Sequence, residues 1–270
     1  MNEHIEKLQE LCFPVFEEEV FFETLNHSSE HEGLVPAKGY KAIVGYTKPF
    51  TVLRQDKTLF SIVSSSYRLI RNEEFFIPLY YAIQDYATVD TIKIDHHKGY
   101  FFVEYMLEDV VSNVGKLGIL AINSYDGTAS TQLNMFVKVV NGTRNTNLFL
   151  DFSFKHKHTR CNNYQEQVKI LRNKVGITDR LNTLFSELYR AEISREDFVK
   201  LSHRVNLPKM YQDMILGSLY YSQDNVSCLS LYMGFSTIIE DMELIRRINF
   251  LNNMLRGIQS MKKEVHILEI

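Results

Sequence analysis

Residues 116–140 read KLGILAINSYDGTASTQLNMFVKVV, and this stretch decides the fold. Two apolar runs, 116–125 and 130–140, flank Asp126-Gly127-Thr128. Asp-Gly readily supplies the positive φ that a tight connection demands, so the spacing predicts a β-hairpin. On its second arm Leu133, Met135, Val137 and Val139 alternate with Gln132, Asn134, Phe136 and Lys138. Successive strand side chains point to opposite faces, so this period predicts one buried face.

Working back toward the N-terminus, 88–95 and 100–107 form a second strand pair around His96-His97-Lys98-Gly99. Before them, 42–46, 50–54 and 59–65 read as three strands. A helix is predicted over 72–86, with Asn72 as N-cap and Glu73 and Glu74 at its electropositive start. Its apolar face holds Phe76, Leu79, Tyr80 and Ile83. A short helix covers 3–11, with Ile5, Leu8 and Leu11 on one side. The polar run 26–39 reads as a loop, and the acidic, aromatic run 16–22 carries no clear period.

Toward the C-terminus, residues 147–158 alternate again, with Leu148, Leu150, Phe152, Phe154, His156 and His158 on one side. From 162 onward the period becomes helical, through Val168, Leu171 and Val175, then Leu181, Leu184, Phe185 and Leu188. Ser194 with Asp197 forms a capping-box pattern ahead of Phe198 and Leu201. Pro208 opens a helix with Met214, Ile215 and Leu219, and one long helical pattern runs from Phe235 to Ile258. Strands first and helices last argue α+β rather than βαβ. The expected architecture is a twisted antiparallel sheet with a packed helix, followed by an all-helical C-terminal region. The expected division is a sheet-rich part over 1–160 and a helical part over 161–270, packed together as one unit.

The chain has 270 residues, a net charge of −3, 45% hydrophobic and 23% charged residues. That composition excludes disorder and a strongly basic coat protein. Three cysteines, Cys12, Cys161 and Cys228, are too few for a disulfide scaffold, and no pair has metal-ligand spacing. The N-terminus lacks the basic and apolar regions of a signal peptide, and no run approaches the roughly 20 apolar residues of a membrane span. The expectation is a cytoplasmic protein with no membrane contact and no cofactor.

Charge is unevenly placed. Residues 136–175 hold eight basic and two acidic side chains, a local net of +6, which leaves −9 for the rest. A basic band on an acidic chain is the footprint of phosphate contacts. Arg144, Asn145, Lys155, Lys157 and Arg160 are the candidate nucleic-acid ligands, with Phe136 or Phe149 as stacking faces if exposed. The competing reading is a solvated edge strand whose lysines discourage edge pairing. Asn123, Ser124, Asp126 and Thr128 form a polar turn cluster that reads either as a phosphate or metal site or as turn chemistry. Ser65, Ser66 and Arg68 sit between a strand and a helix, where an anion would meet backbone N–H groups, though no phosphate-loop glycines are present. His156 and His158 are weak metal candidates that need a third ligand such as Asp126.

Three patches also carry a resemblance. They are Ser64-Ser65-Ser66-Tyr67 through Asn72-Glu73-Glu74, then Asn123-Ser124-Tyr125-Asp126-Gly127, then Asn145-Thr146-Asn147-Leu148 with His158-Thr159. In order and spacing they resemble the phage/plasmid-like family known as domain-of-unknown-function family 932. Gly142 or Thr143 stands where that family often has cysteine, and Lys157 where it has arginine. The resemblance implies a bacterial mobile genetic element and no defined reaction. The leading expectation is therefore binding of single-stranded nucleic acid or DNA ends. The alternatives are a metal-assisted hydrolase or nuclease using Asp126, His156 and His158, and an interaction or assembly factor of a mobile element. Candidate partners are DNA or RNA and a second copy of the chain.

Overall fold

Long strands occupy the middle of the chain and helices its last third. The computed structural model describes residues 3–24, 33–46, 57–95, 99–111, 114–127, 129–141, 144–156, 177–262 and 265. In chain order the elements are α1 (Glu3–Gln9), β1 (Val15–Thr24), β2 (Gly33–Tyr46), β3 (Lys57–Ser64), α2 (Asn72–Ile83), β4 (Ala87–Asp95) and β5 (Tyr100–Val111). Then come β6 (Gly115–Ser124), β7 (Thr131–Asn141), β8 (Arg144–His156), α3 (Ile177–Arg190), β9 (Glu192–Ser194) and α4 (Arg195–Arg204). The last are α5 (Lys209–Leu219), β10 (Asn225–Ser227), α6 (Cys228–Ile238) and α7 (Leu244–Met261). The protein is an α+β mix with antiparallel sheets and C-terminal helices. The sheets are β1-β2-β3, β4-β5-β6-β7-β8 and the short pair β10-β9.

The chain divides into two compact units. The first comprises Met1–Tyr105, Leu120–Leu133 and Phe154–Arg172; the second comprises Met106–Ile119, Asn134–Ser153 and Asn173–Ile270.

In the first unit, Leu8 and Leu11 join Phe75, Phe76, Leu79 and Ile83 of α2 and Phe101, Val103 and Tyr105 of β5 in the core. Gly99 has φ +60, and a Cβ there would lie 2.6 Å from the Phe60 ring and 3.1 Å from Tyr125. Only glycine fits both the backbone and the space. The region 26–39 is not all loop, because β2 begins at Gly33 and pairs with β1 through Thr24↔Gly33, Glu23↔Leu34 and Phe22↔Val35. Ladder bonds override the local Gly and Pro signals here. Pro36 is tolerated because pairing with β3 starts only at Tyr40↔Ser64, so no third strand asks for its missing N–H. The unassigned run 16–22 lies within β1. The strand expected over 50–54 and the turn at His96-His97-Lys98 lie outside the described residues.

The hairpin forms as β6 and β7, but the one-buried-face expectation fails. Residues 117–125 and 131–137 are all buried, polar Gln132 and Asn134 included. Consecutive side chains of both strands are buried, so both faces are covered there. Polar residues on an alternating strand therefore mislead when their face is also covered.

In the second unit, Gly118 leaves room for the Phe136 ring, whose nearest atom lies 2.4 Å from where a Cβ would stand. Phe136 in turn meets Phe149 at 5.8 Å between centroids. Among the described residues β8 is an edge strand, and α6 covers part of that edge. Tyr232 Oη donates to the carbonyl of Phe149, and Ser236 Oγ donates to that of Asn147 at 3.0 Å. Four helical residues rise about 6 Å and two strand residues about 6.7 Å, so the spacings match. β9 and β10 pair through Asn225↔Ser194 and Ser227↔Glu192, and each leads straight into a helix. Ser194 caps α4 by accepting from Asp197 N at 3.1 Å, as its pattern predicts. The long helical pattern from Phe235 to Ile258 is two helices, because Glu243 accepts from the N–H groups of Ile245 and Arg246 and starts α7 afresh. The helical pattern over Val168, Leu171 and Val175 lies outside the described residues.

Candidate functional site

Two of the three quoted patches meet inside the first unit. Asn123 is fully buried at the end of β6. Its Nδ2 donates to the Ile70 carbonyl at 2.8 Å and to Asn72 Oδ1 at 2.9 Å. Its Oδ1 accepts from Thr131 Oγ1 at 2.9 Å. Asn72 Nδ2 continues the chain to the Leu11 carbonyl at 2.9 Å. Asn72 is therefore not the N-cap of α2. Arg71 holds that place, and its N–H donates to Glu74 Oε2 at 3.4 Å. The asparagine amide is instead committed to a buried link between the end of α1 and β6.

Ser124 is also fully buried, and its hydroxyl bonds the Ala129 backbone in both directions, at 2.8 and 3.2 Å. Tyr67 Oη donates to the Ser124 carbonyl at 3.3 Å. Tyr125 Oη accepts from Asn72 N–H at 2.7 Å. Its ring lies among Phe13, Phe60 and Phe101, with centroids 6.1, 5.5 and 5.0 Å away. Burial pushes both phenols well above their ordinary range, with Asp126 and then Glu17 adding to the rise at Tyr67. Both tyrosines are therefore neutral hydroxyls at physiological pH. Chemically the cluster is a set of amides and hydroxyls that satisfy one another. A ligand at Asn123 would have to displace Asn72, Ile70 or Thr131. Asp126 is half-buried beside this network, and Thr128 lies outside the described residues.

The expected anion site at Ser65, Ser66 and Arg68 is not at a helix start. Ser65 and Ser66 form a turn directly after β3, with Ser65 N–H on the Gly39 carbonyl at 2.8 Å and the Ser64 and Ser66 hydroxyls 2.8 Å apart. Residues 67–71 then run without helix before α2. The helix start itself carries Glu73 and Glu74, whose charge opposes an anion there.

Of the basic-band candidates, Arg144, Asn145 and Lys155 lie on β8, as does the metal candidate His156, and the description covers their backbone but not their side chains. The band candidates Lys157 and Arg160 and the metal candidate His158 lie outside the described residues. Phe136 and Phe149 offer no stacking face, because both are fully buried and Arg247 sits over the Phe149 ring at 5.8 Å. Among the described residues no group of three His, Cys, Asp or Glu side chains could hold a metal ion. No helix among them is long and apolar enough to cross a membrane.

Sequence reading missed Tyr67 and Thr131 as members of the buried network. The only signal was their presence beside the patches, Tyr67 within the first and Thr131 just past the second. Protein-family models, curated proteins and solved structures all return no match to this chain.

Proposed function

We propose that this protein binds nucleic acid, single-stranded or at DNA ends, through the basic band that runs through β8. The observation that carries the reading is charge segregation, a net of +6 within residues 136–175 on a chain of −3. Two further points support it. Among the described residues β8 has a strand neighbour on one side only, the other being partly covered by α6. The phage/plasmid-like resemblance also implies a mobile element, where nucleic acid is the common substrate. The test is fluorescence anisotropy with labelled single- and double-stranded oligonucleotides at two salt concentrations. Binding should weaken steeply with salt, because each phosphate contact releases a counterion. Lys155→Glu with Lys157→Glu should weaken it by about tenfold or more. Absence of binding at low salt, or binding indifferent to these charges, overturns the reading.

A second reading, protein interaction, rests on the outer face of β1-β2-β3. Phe16, Val44 and Leu59 share one row of that sheet and Ala42 with Ile62 the next. Phe16 is 43% exposed, and Leu59 and Ile62 are each 56% exposed. Apolar side chains gathered on one sheet face suit a protein partner. Ile62→Lys should abolish self-association or co-purification if this face is used.

A further inference from the structure

We propose that a pocket in the second unit, between the β7–β8 pair, the end of α5 and one face of α6, binds a small neutral molecule the size of two fused rings with one hydrogen-bonding group. The pocket encloses about 230 Å³. Its floor holds part of the third patch quoted from the sequence. Thr146 and Leu148 stand two residues apart on β8 and so share a face, and Val139 of the neighbouring β7 joins them. Its wall is α6, where Ser230, Met233, Gly234 and Thr237 recur at i, i+3, i+4 and i+7 and form one helical stripe. Tyr232 and Ser236, each one position off that stripe, bond the edge carbonyls of β8 and fix the wall over the floor. Gly234 admits the last side. A Cβ there would stand 2.9 Å from Leu219 Cδ1, so glycine lets the final residue of α5 reach α6.

The lining decides the ligand class. Among the described residues no charged side chain lines the pocket. An ion would leave water there without a counter-charge, so the occupant is neutral. Val139, Leu148 and Leu219 supply apolar surface, and the Met233 thioether adapts to the edge of a ring. The volume sets the size. An apolar cavity of about 150 Å³ takes benzene, and this one is about half as large again. It suits about ten heavy atoms and lies below the range of drug-sized sites, which excludes a nucleotide. Hydroxyls give the occupant its polar contact. Ser227 Oγ accepts from Ser230 N–H at 3.1 Å and donates to Ser230 Oγ at 2.8 Å, which leaves the Ser230 proton uncommitted among the described residues. Thr237 Oγ1 gives its proton to the Met233 carbonyl at 3.1 Å and keeps lone pairs for accepting. These two hydroxyls sit two turns apart, about 10 Å along α6, so the stripe offers a donor toward one end and an acceptor toward the other. None of these residues is a nucleic-acid candidate of the basic band, so the site stands or fails apart from the function proposed above.

The test is isothermal titration of the full chain with indole, which is neutral, and with indole carboxylate, which has the same rings and a charge. Indole should bind with Kd below about 1 mM, and the carboxylate at least about tenfold more weakly. Thr146→Phe and Thr237→Phe place a ring in the pocket and should each weaken indole by about tenfold or more. Thr183→Phe, at an exposed position of α3, should leave it unchanged. A Kd for indole above about 1 mM, or equal affinity in wild type and both filled variants, overturns the proposal. Equal binding of the carboxylate overturns the neutral assignment, and an equal loss in Thr183→Phe overturns the site. Melting temperatures report whether the variants fold. If neither filled variant folds, the methyl resonance of Met233 in the wild-type chain decides, because a ring bound beside it shifts it. A resonance unmoved at saturating indole overturns the proposal.

Discussion

Asn123 and Asn134 are both wholly buried asparagines on sheet strands, yet they live in opposite circumstances. Asn123, in the first unit, places its amide on Ile70, Asn72 and Thr131. Asn134, in the second unit, has no partner for either Nδ2 or Oδ1 among the described residues. The same side chain at the same depth is thus a fastening in one region and a cost in the other. A buried amide is worth its hydrogen bonds and little else, because its desolvation is unfavourable wherever it happens.

The sharpest way to break this comparison is Asn123→Leu. It removes three bonds and takes the Asn123 amide away from the Ile70 carbonyl, Asn72 Oδ1 and the Thr131 hydroxyl in the core. The expected loss is about 3–5 kcal/mol, or roughly 10 °C in melting temperature. Urea or thermal unfolding measures it. A loss under about 1 kcal/mol would make the two asparagines equivalent and remove the basis for calling the network a fastening.

This network also shows what the sequence discloses. The Asp126-Gly127 hairpin, the face of α2 and the Ser194 cap were legible because each rests on spacing within a dozen residues. Asn72 was not, because a helix-start asparagine predicts an N-cap and only the fold brings Leu11 and Asn123 to it. Asn134 misled for the opposite reason. On an alternating strand it reads as solvent-facing, and only the coverage of both faces buries it. The pocket at Thr146 and Met233 depends on bonds 83 and 89 residues apart in sequence that set α6 over β8. No local period encodes that.

The edge of β8 offers the next test, with single bonds in place of three. Tyr232→Phe removes the donor to the Phe149 carbonyl, and Ser236→Ala the donor to that of Asn147. Each should cost about 1–2 kcal/mol, by leaving a strand carbonyl without its partner. The paired variant should also aggregate faster on heating, because an uncovered edge recruits other strands. If both variants unfold like wild type, α6 does not protect that edge.

Asn134→Leu should act with the opposite sign. Leucine keeps the branching and removes two unsatisfied polar atoms, so stability should rise by about 1 kcal/mol. Urea unfolding measures this as a higher midpoint with unchanged slope. A loss of more than about 2 kcal/mol would mean that Asn134 has a partner, such as a buried water, and the contrast with Asn123 would collapse.

The smallest effect is local and reports on the first unit alone. Cys12 is half-buried, and its Sγ–H donates to the Leu8 carbonyl at 3.4 Å, one residue from the Leu11 carbonyl that holds Asn72. Burial first, and then the charge of Glu73, pushes its thiol from an ordinary 9.0 up to about 11. Only the thiolate is alkylated, so at pH 8 Cys12 should label about 100-fold more slowly than an exposed thiol. The sign for stability follows. The unfolded chain ionises first, so this contribution is whole below pH 9 and is lost as pH rises from 9 through about 11. Labelling rates at pH 8 then separate the two asparagines without unfolding the protein. Asn123→Leu should speed Cys12 alkylation, because it loosens Asn72 and with it the end of α1. Asn134→Leu should leave the rate alone, since none of the bonds that hold Cys12 involves it. Equal acceleration by both variants would show that Cys12 senses global opening, and that the Asn123 network holds α1 no more firmly than the rest of the core.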